Sequence, residues 1–140
     1  MPHRLLLLSV LLTGAGCSAP QSPDSAEAQT VRAFTQAFNE HDVAAMALFL
    51  HEDAHWIYLM DDSLYTEAES REAITTSMAG YFEAYSDVNS SLESVHSLGP
   101  FVTAVERVSW NGGQNAQSAT VVYELENDLI RRVWYHDAVR

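Results

Sequence analysis

At Asp87 the spacing of apolar residues changes from a mainly helical period to a strand period, and that change concentrates the helices in the first part of the chain and a strand meander in the rest. Val31, Phe34, Ala37 and Phe38 recur at helical spacing, with Arg32, Gln36, Asn39 and Glu40 on the other side. Asp42 restarts the pattern as the cap of a second helix, whose stripe is Val43, Met46, Ala47 and Leu50 and whose end is expected near His51-Glu52-Asp53. Residues 55–60, aromatic and β-branched, read as a short strand turned by Asp61-Asp62-Ser63. Ser70 then caps a third helix with Ile74, Met78, Tyr81, Phe82 and Tyr85 on its core side.

Beyond Asp87 the period is 2, punctuated by Pro100, Asn111-Gly112-Gly113 and Asn127-Asp128. Val102, Ala104, Val108 and Trp110 share one strand face, Ala119, Val121, Tyr123 and Leu125 share the next, and residues 129–137 form a last strand. Residues 88–98 suit a helix or a strand, because Leu92, Val95 and Leu98 satisfy either spacing. The expected class is α+β, with three N-terminal helices packed on one face of a curved, mostly antiparallel sheet.

Upstream of the first helix the chain carries an address. Leu5 to Leu12 is an almost unbroken apolar run after Met-Pro-His-Arg, and it is too short to span a bilayer, which takes roughly 20 residues. Gly14-Ala15-Gly16 then precedes Cys17, the single cysteine. A leader, small residues and then cysteine resembles the lipobox of bacterial lipoproteins, which implies cleavage after Gly16 and lipidation of Cys17. An ordinary secretory leader that contains a cysteine is the alternative. Residues 17–28, rich in Ser, Pro and Ala, read as a tether, and residues 29–140 as one domain. Lipidation would leave no thiol for a disulfide, a metal site or a nucleophile. The expected location is the cell envelope, lipid-anchored. Ser18 after the cysteine favours the outer membrane, facing the periplasm, in a host that has one.

The net charge is −12, and all seven basic residues are arginine. Nucleic acid is excluded as an expected partner, because a phosphate backbone demands a basic stripe and only Arg131-Arg132 are adjacent. No glycine-rich phosphate loop is present. His51-Glu52-Asp53-Ala54-His55 formally matches HExxH, the helical zinc motif, but a β-rich run begins at His55 and would take the rings out of helical register. The pattern reads as a polar helix-to-strand corner, so no metal and no cofactor is expected.

Glu106 falls in the apolar row of Val102, Ala104, Val108 and Trp110. An unpaired carboxylate buried there would be costly or would hold its proton more tightly. Three placements stay open: an ion pair with Arg131 or Arg132, an exposed sheet face, or a polar group in a pocket.

The element order, together with Phe38-Asn39-Glu40-His41-Asp42-Val43, Leu48-Phe49 to Asp53-Ala54, and Ile130 to Tyr135 to Asp137, resembles the cone-shaped nuclear transport factor 2-like superfamily and its SnoaL-like members. That resemblance implies a cone-shaped roll whose interior receives Trp56 and Tyr58 from one strand, with Tyr123 and Tyr135 beside them. A ketosteroid isomerase of this fold places an oxyanion-hole tyrosine and a base aspartate at positions that align with Phe34 and Tyr58. Phenylalanine cannot donate a hydrogen bond, and tyrosine is a poor base at neutral pH. That acid/base pair is therefore absent. The expected pocket comprises Phe34, Trp56, Tyr58, Glu106, Tyr123 and Tyr135, suited to a small apolar molecule. The expected function is an envelope lipoprotein that binds such a molecule or a partner chain, with no assigned reaction, and a homodimer is left open. The alternative is a SnoaL-like enzyme of cyclase, dehydratase or isomerase type using Glu106 as acid/base.

Overall fold

The computed structural model describes residues 24–136. The leader, Cys17 and most of the expected tether lie outside the described residues, as does Asp137. Helix α1 spans Ala26–Asn39 and α2 Val43–Ala47; strands β1, Leu50–Met60, and β2, Ser63–Ala68, follow, then helix α3, Arg71–Ala84. The remaining strands are β3, Asn89–Leu98, β4, Phe101–Trp110, β5, Asn115–Glu126, and β6, Leu129–Tyr135. All six strands form one curved sheet in the order β2-β1-β6-β5-β4-β3, with the helices on one face. Only the β1–β6 pair is parallel; the other neighbours are antiparallel. Among the described residues no helix is long and apolar enough to cross a membrane.

Capping sets the helix starts. Ser25 Oγ accepts from the Ala28 amide, so α1 begins at Ala26, inside the segment read as tether. Asp42 and Ser70 cap α2 and α3 by accepting from the amides of Ala45 and Ala73. The first helix ends where His41 takes a φ of 54°, a left-handed corner that turns the chain into α2. Asn39 and His41 then fasten this corner to the sheet. The Asn39 side chain accepts from the Ser90 amide (2.7 Å) and donates to the Ser90 carbonyl (2.8 Å), occupying the place of a neighbouring strand. The His41 ring stacks on Phe82 at 4.4 Å, with Nε2 2.9 Å from the Val88 carbonyl. These contacts resolve residues 88–98 as strand.

Three expectations are corrected. The second helix does not reach His51-Glu52-Asp53; it stops at Ala47, and Leu50 already pairs with Ile130 of β6. The Ile130 amide donates to the Phe49 carbonyl (2.8 Å), so a distant strand ends the helix early. His51 to His55 consequently lies wholly within β1, not at a helix-to-strand corner, and the helix that HExxH requires does not exist. The turn at Asp61-Asp62 leads into β2, an edge strand that hydropathy did not reveal because all its residues but Ala68 are exposed.

The core lies between the helices and the concave sheet face. Val31, Phe34 and Phe38 of α1 meet Val102, Ala104, Val121, Tyr123 and Val133 there, all buried. Each large side chain so buried contributes about 1.5–3 kcal/mol. At the β4–β5 turn, Asn111, Gly112 and Gly113 all have positive φ, and the Asp87 carboxylate accepts from the amides of Gly112 (2.5 Å) and Asn111 (3.2 Å). These bonds hold the Asp87 carboxyl below its usual range. They also tie the exit of α3 to the far end of the sheet.

Candidate functional site

The helices do not fill the concavity completely. A cavity of about 350 Å³ remains between α1, α3 and the sheet. Phe34, Trp56, Tyr58, Glu106, Tyr123 and Tyr135 all line it. Strand parity explains the convergence. Trp56 and Tyr58 alternate onto the inner face of β1, and parallel register sets them against Val133 and Tyr135 of β6. The Tyr135 ring stacks on Trp56 at 5.2 Å and packs on Tyr58 at 5.6 Å; Phe34 reaches Trp56 from the helix side at 6.2 Å.

Glu106 takes the third of its open placements. It is 6 % exposed, and neither arginine is its partner. Arg131 pairs with Glu126 (3.4 Å) and Arg132 with Glu124 (2.7 Å), both within the β5–β6 hairpin. Ser90 Oγ instead donates to Glu106 Oε1 at 2.5 Å, and the Tyr135 hydroxyl also hydrogen-bonds the carboxylate. Burial raises the Glu106 carboxyl above its usual range, while the Ser90 and Tyr135 hydroxyls pull it back by favouring the charged form. The same burial, reinforced by the nearby Glu106 charge, pushes Tyr123 and Tyr135 well above the usual tyrosine range. Tyr123 is further bonded by Tyr135 and Thr35. Ser90, Glu106, Tyr135, Tyr123 and Thr35 thus form one hydroxyl and carboxyl chain at the inner end of the cavity.

The rest of the wall comes from residues outside the expected pocket set; Phe38, Met78 and Tyr81 were expected on core-facing helix stripes, whereas Thr35, Gln117, Glu67 and His136 were not singled out. Thr35 and Phe38 are buried on α1, and Thr35 is the polar side chain among its buried residues. Met78 and Tyr81 come from α3, and Gln117 from β5. Glu67 of β2 and His136 after β6 complete the mouth, both exposed. Glu67 could not be found without β2, and Ser90 could not be found while β3 was ambiguous. Tyr58 is half-buried, and desolvation together with the Glu67 charge pushes its hydroxyl up to about 12. It is no base at neutral pH. The buried Trp56 Nε1–H has no hydrogen-bond partner, although it lies close enough to the Tyr58 hydroxyl to favour that group's ionisation. Among the described residues no group of three or more His, Cys, Asp or Glu side chains could hold a metal ion.

Residues 31–133 match the SnoaL-like domain family. No curated protein matches the sequence. Among solved structures, an uncharacterised cystatin-fold protein from Novosphingobium aromaticivorans superimposes with a TM-score of 0.70 at 19% identity, over 84% of this chain and 100% of that one. A proposed ketosteroid isomerase from Kribbella flavida gives 0.66 at 16% identity, over 82% and 81% of the two chains. A proposed polyketide cyclase from Sinorhizobium meliloti gives 0.62 at 14%, over 80% and 99%. At these identities the likeness is one of fold. The chain belongs to the SnoaL-like family, within the nuclear transport factor 2-like fold.

Proposed function

We propose that this SnoaL-like domain binds a compact, mostly apolar small molecule, and that a lipid on Cys17 holds it at the cell envelope, in the outer membrane facing the periplasm where the host has one. The observation that supports the binding reading is the convergence of seven aromatic side chains and two carboxylates, Glu106 within and Glu67 at the mouth, on a single cavity of about 350 Å³. Cavities of about 300–1,000 Å³ with apolar walls and a few convergent polar groups suit small ligands. Apolar contact with Phe34, Phe38 and Met78 supplies the bulk of the affinity. Orientation comes from Glu106 at the inner end and from the Trp56 N–H, a buried donor that a ligand oxygen would satisfy.

Native mass spectrometry of the protein taken from its own host is the test: a retained small molecule is expected, and its loss in Glu106→Gln or Trp56→Leu would assign it to the cavity. Protein that is empty in every preparation would argue against the reading. The anchor is tested separately. Cys17→Ser should move the protein from the detergent phase to the aqueous phase when host membranes are extracted, and unchanged partitioning would remove the lipid from the account.

An enzymatic reading draws on one further observation, that Glu67 and His136 share the cavity with Glu106 and offer it titratable company. In that reading Glu106 exchanges a proton with a bound substrate, in the manner of cyclases, dehydratases or isomerases. Binding is preferred because both Glu106 partners are hydroxyls already engaged with it, and because Phe34 and Tyr58 stand where an isomerase of this fold carries its donor and base. Glu106→Gln protein that keeps its ligand unchanged, beside wild type that transforms it, would favour the enzyme.

A further inference from the structure

The charge of this cavity is one-sided. Glu106 lies at its inner end and Glu67 at its mouth, and among the described residues neither lysine nor arginine lines it. The arginines nearest in sequence or on neighbouring strands are committed elsewhere: Arg131 and Arg132 to Glu126 and Glu124, while Arg107 is exposed on the opposite face of β4 from Glu106. Ser90 and Tyr135 give the Glu106 carboxylate hydrogen bonds but no positive charge. A carboxylate taken out of water is normally matched by a cation as well as by donors. The walls around it are aromatic, and the negative faces of aromatic rings attract cations. The net charge of −12 draws cations toward the whole molecule.

We propose that the ligand is a compact lipophilic organic cation, a tertiary or quaternary ammonium on an apolar body, whose charged nitrogen lies between the Glu106 carboxylate and the rings of Trp56, Tyr81 and Tyr135. The inference rests on the reading of the cavity as a ligand site. A ligand carboxylate would meet two carboxylates and, among the described residues, no lysine or arginine, with the exposed His136 at the mouth as the one imidazole. A neutral ligand would leave Glu106 with the Ser90 and Tyr135 hydroxyls alone, as in the empty protein.

Three probes of matched shape separate these classes: phenyltrimethylammonium, its neutral isostere tert-butylbenzene, and benzenesulfonate. They are titrated calorimetrically into the full chain at about 0.15 M salt, where attraction to distant surface charge is largely screened. The ammonium is expected to bind at least about tenfold tighter than the neutral isostere, and the sulfonate not at all. Glu106→Gln should remove most of that preference and Glu67→Gln part of it, while Glu93→Gln, on the exposed side of β3, should leave it unchanged. Equal binding of ammonium and isostere, or tighter binding of the sulfonate, would overturn the cation assignment and leave the cavity as a ligand site. Binding of none of the three would overturn both. A preference that survives Glu106→Gln and Glu67→Gln intact would belong to the overall charge and would also overturn it. Should Glu106→Gln fail to fold, the wild-type comparison and Glu67→Gln, on an exposed edge, carry the decision.

Discussion

At its inner end the cavity is closed by the long strands β4, β5 and β6, whose inward residues Val102, Val121, Tyr123 and Val133 are almost wholly buried; at its mouth it is bordered by β2 and the tip of β1, where Met60, Leu64 and Tyr65 are half or more exposed. The inner strands are paired on both sides, whereas β2 is an edge strand paired on one. Polar groups follow the same division. Glu106, Ser90, Tyr135, Tyr123 and Thr35 are bonded to one another in the interior, while Glu67 at the exposed mouth is met by Ser77 (3.5 Å) and by the Tyr58 hydroxyl. On the proposed reading, the groups that would orient a ligand sit on strands paired on both sides, and the mouth is bordered by the singly paired edge.

Substitutions can break that contrast, and the largest effect belongs to the inner end. Tyr123→Ala should cost about 3–5 kcal/mol in urea denaturation, because a fully buried ring leaves a cavity and strands its hydroxyl partners. Tyr65→Ala at the mouth should cost under about 0.5 kcal/mol. Similar losses at both sites would abolish the distinction.

Ser90→Ala comes next. Removing the donor to Glu106 Oε1 should destabilise by about 1–3 kcal/mol. It should also raise the Glu106 pKa further, observable by carboxyl chemical shifts in an NMR titration. An unmoved titration would show that Ser90 does not govern this carboxylate.

Glu106→Gln keeps the shape and sharpens the comparison through pH. Burial makes the folded protein hold the Glu106 proton to higher pH than the unfolded chain does, so the stability it contributes is complete below the usual value of 4.5 and is lost as pH rises through the folded value. The loss is about 1.4 kcal/mol for each unit between the two values. Asp87 acts in the opposite sense: hydrogen bonds from the amides of Gly112 and Asn111 hold its carboxyl down, and its contribution is lost as pH falls below 3.8. In Glu106→Gln the decline of thermal midpoint above about pH 4.5 should flatten while the acid-side fall persists. Profiles of equal slope would show that Glu106 is not desolvated in solution.

The smallest effect is expected from Leu64→Ser, within about 0.5 kcal/mol in stability. Its signature is kinetic: a changed association rate for a cavity ligand in stopped-flow mixing, with little change in the denaturation midpoint. An unaltered rate would move the access route away from β2.

The same division explains what could be read from the amino acids alone. Helices α1 and α3 and the inward rows of β4 and β5 were legible because each buries one face, and burial writes its period into the sequence. Glu106 was conspicuous as the one carboxylate in such a row, and the cavity residues on β1 and β6 followed from parity once the fold was recognised. Strand β2 was silent, since an exposed edge has no apolar alternation to show. The early end of α2 was hidden for another reason: Val43 to Leu50 is helical by spacing, and only pairing with Ile130, far along the chain, converts Leu50 to strand. The choice among partners for Glu106 depended on where Ser90 fell, which Asn39 decides from a different element.

The parallel pairing of β1 with β6 has a consequence for how the molecule assembles. Each antiparallel neighbour pair from β3 to β6 can zip from a short connection, but β1 must wait beside an unpaired edge until the chain has passed through α3 and the whole meander. Closing so long a loop is entropically slow, and the Trp56–Tyr135 stack lies across that seam. The ring wall of the cavity is therefore expected to be among the last features to form. A molecule that required both sides of the wall would find nothing to recognise in a partly folded chain, so its binding would add free energy to the native state alone.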